Sequence, residues 1–348
     1  MRPSDELELA EALRGRAAPV FVQGGGTRRI VAALGEAIDT SGLTGVRIHE
    51  PGALTLVAGA GTPLAEVEAV LAEQRQRLAF EVPDLRRMLG RDGVSTLGGV
   101  AAANASGSRR VQVGACRDQV LGLRFVNGAG VVVKAGGRVM KNVTGLDLTK
   151  LLVGSQGRLG VITELAFRVQ AVPEAVATLV GLRDLASGLA TLRAALGSPY
   201  DVSGAAYAGG QALIRVEGMA GSVAYRAAAL RARLGGDWDL VEGPGPWATV
   251  RDVTDFAGQA GNVWRVSVKP GDAVAVVQGL EAEALFDWGG GLIWLLAAPA
   301  VDVRARVTGR GHATLMRGEG VVFQPEAPAV AALTAGIRAK FDPKGIFR

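Results

Sequence analysis

Short apolar runs separated by glycine and polar turns dominate the first half of the chain. Residues 17–22 form one such run, which leads into Gly24-Gly25-Gly26-Thr27 and predicts a strand feeding a glycine loop. Residues 54–58 predict a second strand, ending in Gly59-Ala60-Gly61. Thr62 then suits a helix N-cap and Pro63 the first helical position, with Leu64, Val67, Val70 and Leu71 following at helical spacing. Residues 121–126 and 130–134 predict a hairpin across Asn127-Gly128, and 161–169 a further strand. Beyond Pro173 the rhythm changes. Strands at 178–182, 212–216, 264–268 and 292–296 alternate with helices at 185–196, 223–234 and 271–283. A last helix spans 327–340 and stops near Pro343. The fold class expected of this second half is α+β, with helices on one face of an antiparallel sheet.

Composition narrows the classes. Apolar residues make up 49% of the 348, enough for sizeable cores and for two domains. The formal charge of +5 is carried mostly by scattered arginines, and aromatic residues are only 5%. That pattern points to anionic ligands and not to a nucleic-acid partner. Cys116 is the single cysteine, which rules out an internal disulfide and a thiolate-built zinc or iron–sulfur site and fits a reducing compartment. The acidic start, with Asp5, Glu6, Glu8 and Glu11, is unlike a secretory signal. The longest apolar run, 292–301, is about half of what a membrane span needs. A cytoplasmic location is expected, with any membrane contact made through partners.

Three segments carry candidate chemistry. In Gly24-Gly25-Gly26-Thr27, consecutive glycines allow backbone N–H groups to converge on a pyrophosphate, and Thr27 adds a hydroxyl. An ordinary glycine-rich turn has the same composition. Residues 93–108 are uncharged and nearly all small, so a flat ligand can approach the backbone there; Thr96 is placed to cap a helix whose N-terminus would face phosphate. A tightly packed core helix is the other reading. In 146–164 a short helix meets a glycine-rich turn and then a strand, where Ile162 offers an edge for a ring, although taken alone the segment reads first as a structural turn. Gly59-Ala60-Gly61 imitates a dinucleotide fingerprint, but Leu64 stands where the third glycine is required, so that reading is rejected.

Taken in order, Gly24–Thr27, Thr96-Leu97-Gly98-Gly99 with Asn104-Ala105-Ser106-Gly107, Gly114–Asp118, 142–151 and 154–164 resemble the FAD-binding domain of PCMH type, the vanillyl-alcohol oxidase family. The tail 340–347 is similar to the tail of that family. Segments 264–268, 287–291 and 311–315 resemble FAD-binding subunits of bacterial glycolate oxidase complexes. The resemblance implies a PCMH-type FAD-binding domain of two α/β subdomains over 1–172, an α+β substrate or cap domain over 173–326, and a helix and tail, 327–348, returning to the first. It implies that Gly24, Gly25, Gly26 and Thr27 hold the pyrophosphate. Pro83, Thr96, Gly98, Gly99, Asn104, Gly107 and Gly114 would line the FAD, and Ile162 would pack against it. No histidine lies in the loops where relatives attach flavin, so the FAD is expected to be non-covalent.

The implied reaction is oxidation of glycolate, or another 2-hydroxy acid, to the oxo acid, with electrons leaving through a separate iron–sulfur subunit beside a paralogous FAD subunit. His312 is the candidate base and Arg265 the candidate carboxylate clamp, each with a plain structural role as its alternative. The chain departs from the family in two ways. Related 2-hydroxy-acid dehydrogenases carry a histidine-rich metal segment, whereas this chain has only His49 and His312, so no metal is expected. The Asn-Pro-Gly that follows the tail phenylalanine in relatives is missing. Two other functions therefore stay open: a flavin-holding or assembly subunit without chemistry, and a stand-alone FAD-dependent alcohol oxidase.

Overall fold

The structure, a computed structural model, describes residues 1–138, 146–307, 309 and 311–348. Near the N-terminus β1 (Val20–Gln23) and β2 (Glu36–Asp39) pair in parallel. The chain's tail closes the other edge of β1. The Val20 N–H donates to Ile346 O at 2.8 Å, and the Arg348 N–H to Val20 O at 3.0 Å. A five-stranded antiparallel sheet follows, built from β3 (Val46–Glu50), β4 (Thr55–Gly59), β5 (Val120–Val126), β6 (Val132–Gly136) and β7 (Val161–Arg168), in the order β3-β4-β7-β5-β6. β7 is central and buried along most of its length, as its near-continuous apolar sequence dictates. Its Phe167 stacks on Phe80, ring centroids 5.7 Å apart, in the core beneath the sheet.

The chain then passes, between residues 171 and 175, into an eight-stranded antiparallel sheet. Its strands are β8 (Ala175–Leu182), β9 (Val202–Ala208), β10 (Gln211–Gly218), β11 (Asp239–Glu242), β12 (Asn262–Ser267), β13 (Ala282–Asp287), β14 (Leu292–Ala297) and β15 (His312–Arg317), in the order β11-β8-β10-β9-β13-β14-β12-β15. Alternate residues serve opposite faces. Leu179, Ile214, Val266, Ile293 and Leu295 pack under the helices Leu185–Leu196 and Ala220–Leu234. Leu213, Val263, Leu285 and Trp294 meet Met88 and Leu89 of the first half. The second face of this sheet is thus the seam between the two halves. Each large apolar side chain buried there contributes about 1.5–3 kcal/mol, so the halves are held by a core and not by a tether. The fold is α+β, as expected from the pattern. Among the described residues no helix is long and apolar enough to cross a membrane.

Several local expectations are corrected. Pro63, not Thr62, occupies the N-cap of the helix Leu64–Glu73; the Thr62 Oγ1 accepts the Gly45 N–H at 2.9 Å instead. The hairpin β5–β6 turns through residues 127–131 and not across Asn127-Gly128 alone, because Asn127 Oδ1 accepts the N–H groups of Ala129 and Val131 and organises a wider loop. The helix expected at 271–283 is confined to Ala273–Val277. Gly279, at φ +73°, turns the chain, and Ala282–Asp287 becomes a strand because its apolar residues pair with β14. Gly59 and Gly61 are needed for close backbone packing: a Cβ at either would lie 2.2 Å from Leu43 O or 2.0 Å from Thr40 O. Residues 142–145, part of the family-like run, lie outside the described residues.

Candidate functional site

The glycine loop and the small-residue helix lie against each other. A Cβ on Gly24 would stand 2.3 Å from Thr96 Oγ1, and one on Gly25 only 1.4 Å from Val94 O. These two glycines are therefore dictated by the approach of 94–96. Gly26 differs: its φ of +74° suits glycine, and a Cβ there would meet nothing within 4 Å, so it borders open space. Among the described residues the N–H groups of Gly24, Gly25, Gly26 and Thr27 donate to no protein acceptor. Across from them Thr96 caps the helix Leu97–Ala102, its Oγ1 accepting the Gly99 N–H at 3.3 Å.

Between these walls runs a cleft of about 940 Å³, counted out to open solvent. The turn that follows Leu152 completes it. Gly154 and Gln156 donate N–H to Ala101 O and Ala102 O at 3.0 and 2.9 Å, satisfying the end of the small-residue helix and setting Gln156 and Gly157 on the cleft wall. Ile162, at the start of β7, forms part of the same lining. Arg28 borders the cleft. Burial pushes its guanidinium down to about 10, still charged at neutral pH; Nη2 donates to Pro83 O at 2.8 Å, and Nε has no partner among the described residues. Unpaired N–H groups, an orphaned buried guanidinium nitrogen and an open glycine fit the diphosphate of a dinucleotide.

The lining brings together Gly24, Gly25, Gly26, Thr27, Thr96, Gly98, Gly99 and Ile162. Pro83, Asn104, Gly107 and Gly114 stand outside it. Pro83 reaches the loop through Arg28. Asn104 Oδ1 accepts the Arg117 N–H at 3.0 Å, and the Gly107 N–H donates to Phe80 O and Glu81 O. Gly114, at φ +83°, lets Asp118 cap the following turn, where its Oδ2 accepts the Ala115 N–H at 2.8 Å.

The FAD binding domain family matches residues 1–136. A curated relative, glycolate oxidase subunit GlcE of Escherichia coli (strain K12), is 34% identical over 338 residues, which span 94% of this chain and 91% of that protein. The chain belongs to the GlcE family. FAD is its cofactor, and the cleft between the glycine loop and the small-residue helix has the donors such a cofactor requires. D-lactate dehydrogenase of Archaeoglobus fulgidus is 32% identical over 176 residues, 49% of this chain and 38% of that protein. Among solved structures, alkyldihydroxyacetonephosphate synthase superposes on 99% of this chain and 74% of its own, at a TM-score of 0.69 and 16% identity, a likeness of fold.

The two catalytic candidates sit on the seam-facing side of the large sheet. Register pairs His312 with Ser267, and Arg265 with Thr314 and Trp294, so all five side chains project from one face. Partial burial, and secondarily Arg265, hold the His312 imidazole below its ordinary range, hence neutral at pH 7. Burial pushes Arg265 down to about 10, with Arg110 adding to the effect. Arg265 lies over the Trp288 ring at 5.3 Å from its centroid. Arg110, from the first half, lies over the same ring at 4.5 Å. Sequence reasoning missed both Arg110 and Trp288, because only the folded seam joins them to Arg265. The adjacent Arg109-Arg110 pair was the available signal.

Proposed function

We propose that this chain oxidises a 2-hydroxy acid at its FAD, as the FAD-binding subunit of a glycolate oxidase type of complex. The observation that carries the reading is an imidazole, His312, and a guanidinium, Arg265, which has no ion pair among the described residues, on one sheet face at the seam beside the FAD-binding half. The relatives named for glycolate and D-lactate, both 2-hydroxy acids, support the substrate class. We assign Gly24, Gly25, Gly26 and Thr27 to the diphosphate, Arg28 to its charge, and Thr96, Gly98, Gly99 and Ile162 to the cofactor's flanks. Pro83 is assigned a role through Arg28, and Asn104, Gly107 and Gly114 the task of shaping the backbone around it.

FAD, when bound, supplies the hydride acceptor. Arg265 holds the substrate carboxylate by charge-assisted hydrogen bonds. His312 Nε2 or Nδ1 accepts the hydroxyl proton as the C–H bond is broken. The cofactor is held without a covalent link: His49 is bonded to Gln76 at 2.9 Å on β3, away from the cleft lining, and His312 lies on the other sheet. One cysteine, Cys116, is too few to bind a cluster, so electrons leave to a separate iron–sulfur protein, and a paralogous FAD subunit completes the assembly. A cytoplasmic setting, with membrane contact through those partners, follows from the same reading. The functional division is 1–172 for FAD, 173–326 for substrate, and 327–348 returning to the first part.

Anaerobic mixing of the purified chain with glycolate tests this. Bleaching of the flavin absorbance is expected, with flavin released on acid precipitation. Absence of bleaching until a partner subunit is added would instead favour the flavin-holding role, and oxygen consumption by the lone chain the stand-alone oxidase. In an active preparation Arg265→Ala lowers kcat/KM about 10–100-fold, as loss of a charged hydrogen-bond pair does.

A further inference from the structure

We propose that Arg110 and Arg265 form a paired anion site, and that the preferred substrates are 2-hydroxy acids bearing a second carboxylate. The proposal rests on the hydroxy-acid reading above and deepens it. The two guanidiniums come from opposite halves of the chain, Arg110 from the short helix Arg110–Val113 and Arg265 from β12, and both stack on Trp288. Neither makes an ion pair or a side-chain hydrogen bond among the described residues. Burial weighs on both guanidiniums, Arg265 feels the like charge of Arg110, and on Arg110 the repulsion from Arg117 is opposed by Asp118; a bound anion would relieve the burial and the repulsion together.

The indole that both guanidiniums contact is firmly held. Trp288 adopts φ +55°, a left-handed conformation that a bulky side chain rarely takes. Its Nε1–H donates to Gly107 O at 3.0 Å, across the seam, and its backbone N–H to Asp287 Oδ1 at 2.7 Å. Asp287, the acid nearest in sequence, is committed elsewhere, since its Oδ2 accepts the Ser108 hydroxyl at 2.7 Å. A strained, doubly anchored ring thus fixes two cations whose side-chain N–H groups meet no protein acceptor among the described residues. One carboxylate neutralises one of them. A dicarboxylate neutralises both, with Arg265 taking the carboxylate beside the carbinol and Arg110 the distal one.

Binding of non-oxidisable acids to the FAD-loaded chain separates this from the catalytic reading. Isothermal titration with malonate and with acetate is expected to favour malonate by at least about tenfold. Arg110→Gln brings malonate down to the affinity of acetate, while Arg110→Lys, which keeps the charge, retains the preference in weakened form. Equal binding of the two acids by the wild-type chain, or an undiminished preference in Arg110→Gln, overturns the proposal. In anaerobic reduction, hydroxymalonate is expected to bleach the flavin at a higher kcat/KM than glycolate. If malonate binds tightly and no hydroxy acid bleaches the flavin, the oxidase reading fails and the anion site stands. If glycolate bleaches it and malonate binds no better than acetate, the reverse holds.

Discussion

Individual side chains at the seam carry the clearest consequences of burial. Asp287 is fully enclosed, and burial pushes its carboxyl up to about 6, against hydrogen bonds from Ser108 and Trp288 that work in the other direction. The folded state therefore holds the proton more tightly than the unfolded chain, whose carboxyl titrates at the ordinary 3.8. Stability linked to this group is complete below that ordinary value and is lost as pH rises through about 6. Asp287→Asn keeps both contacts, with the amide oxygen accepting from Trp288 and the NH₂ donating to Ser108. It should raise stability by on the order of 1–3 kcal/mol at pH 8 and by nothing near pH 4, measured by denaturant unfolding. His312 titrates in the opposite sense. Its lowered pKa keeps it a base across neutral pH, so the acid limb of kcat/KM should lie at a pH below the ordinary 6.5 of an imidazole. His312→Gln should abolish that acid limb and cost about 10²–10⁴ in kcat. Cys116 is buried and its thiol is pushed well up by that burial, so a thiol reagent should label it only after denaturation.

At the scale of elements, what was readable from sequence depended on side-chain size. Alternating or periodic runs of large apolar residues announced β7, β10, β14 and the helix Leu185–Leu196, because each buries a face of Leu, Val, Ile or Phe. β9 was invisible: Ser203-Gly204-Ala205-Ala206 has little apolar contrast, and it is a strand only because β10 pairs with it and Trp247 packs where Gly204 has no side chain. The cleft to which we assign the cofactor stood out for the same reason in reverse, since runs without Cβ atoms mark close backbone approach. What composition could not separate was which glycines face the ligand and which face the protein. The contacts do so, and they predict different outcomes. Gly25→Ala drives a methyl into Val94 O and should lower the stability of the chain even without FAD. Ala102→Phe fills the cleft from its half-buried wall and should cut FAD affinity by at least about tenfold, leaving the far-ultraviolet circular dichroism of the cofactor-free chain unchanged.

For the whole molecule, the last residues bind the first strand and so support the cofactor loop from behind. The Asp342 carboxylate accepts the N–H groups of Ile346 and Phe347 at 3.0 and 2.8 Å, turning the tail so that it pairs with Val20 on β1. Ile346 is fully buried among Leu9, Leu13, Val20 and Ile38, and Phe347 nearly so. β1 leads directly into Gly24, and Arg348 reaches the cleft itself. Removing residues 346–348 therefore exposes two large apolar side chains' worth of core, about 3–6 kcal/mol, and frees the edge that aligns the glycine loop. The expected result is a lower denaturant midpoint together with weakened FAD binding. Arg348→Ala separates the two effects. It leaves the backbone pairing intact, so stability should change by less than about 0.5 kcal/mol, while FAD affinity is expected still to fall through loss of a cation that lines the cleft. A truncated chain that unfolds at the wild-type midpoint would show that the tail merely rests on β1, and the loop would then have to be aligned by 94–96 alone.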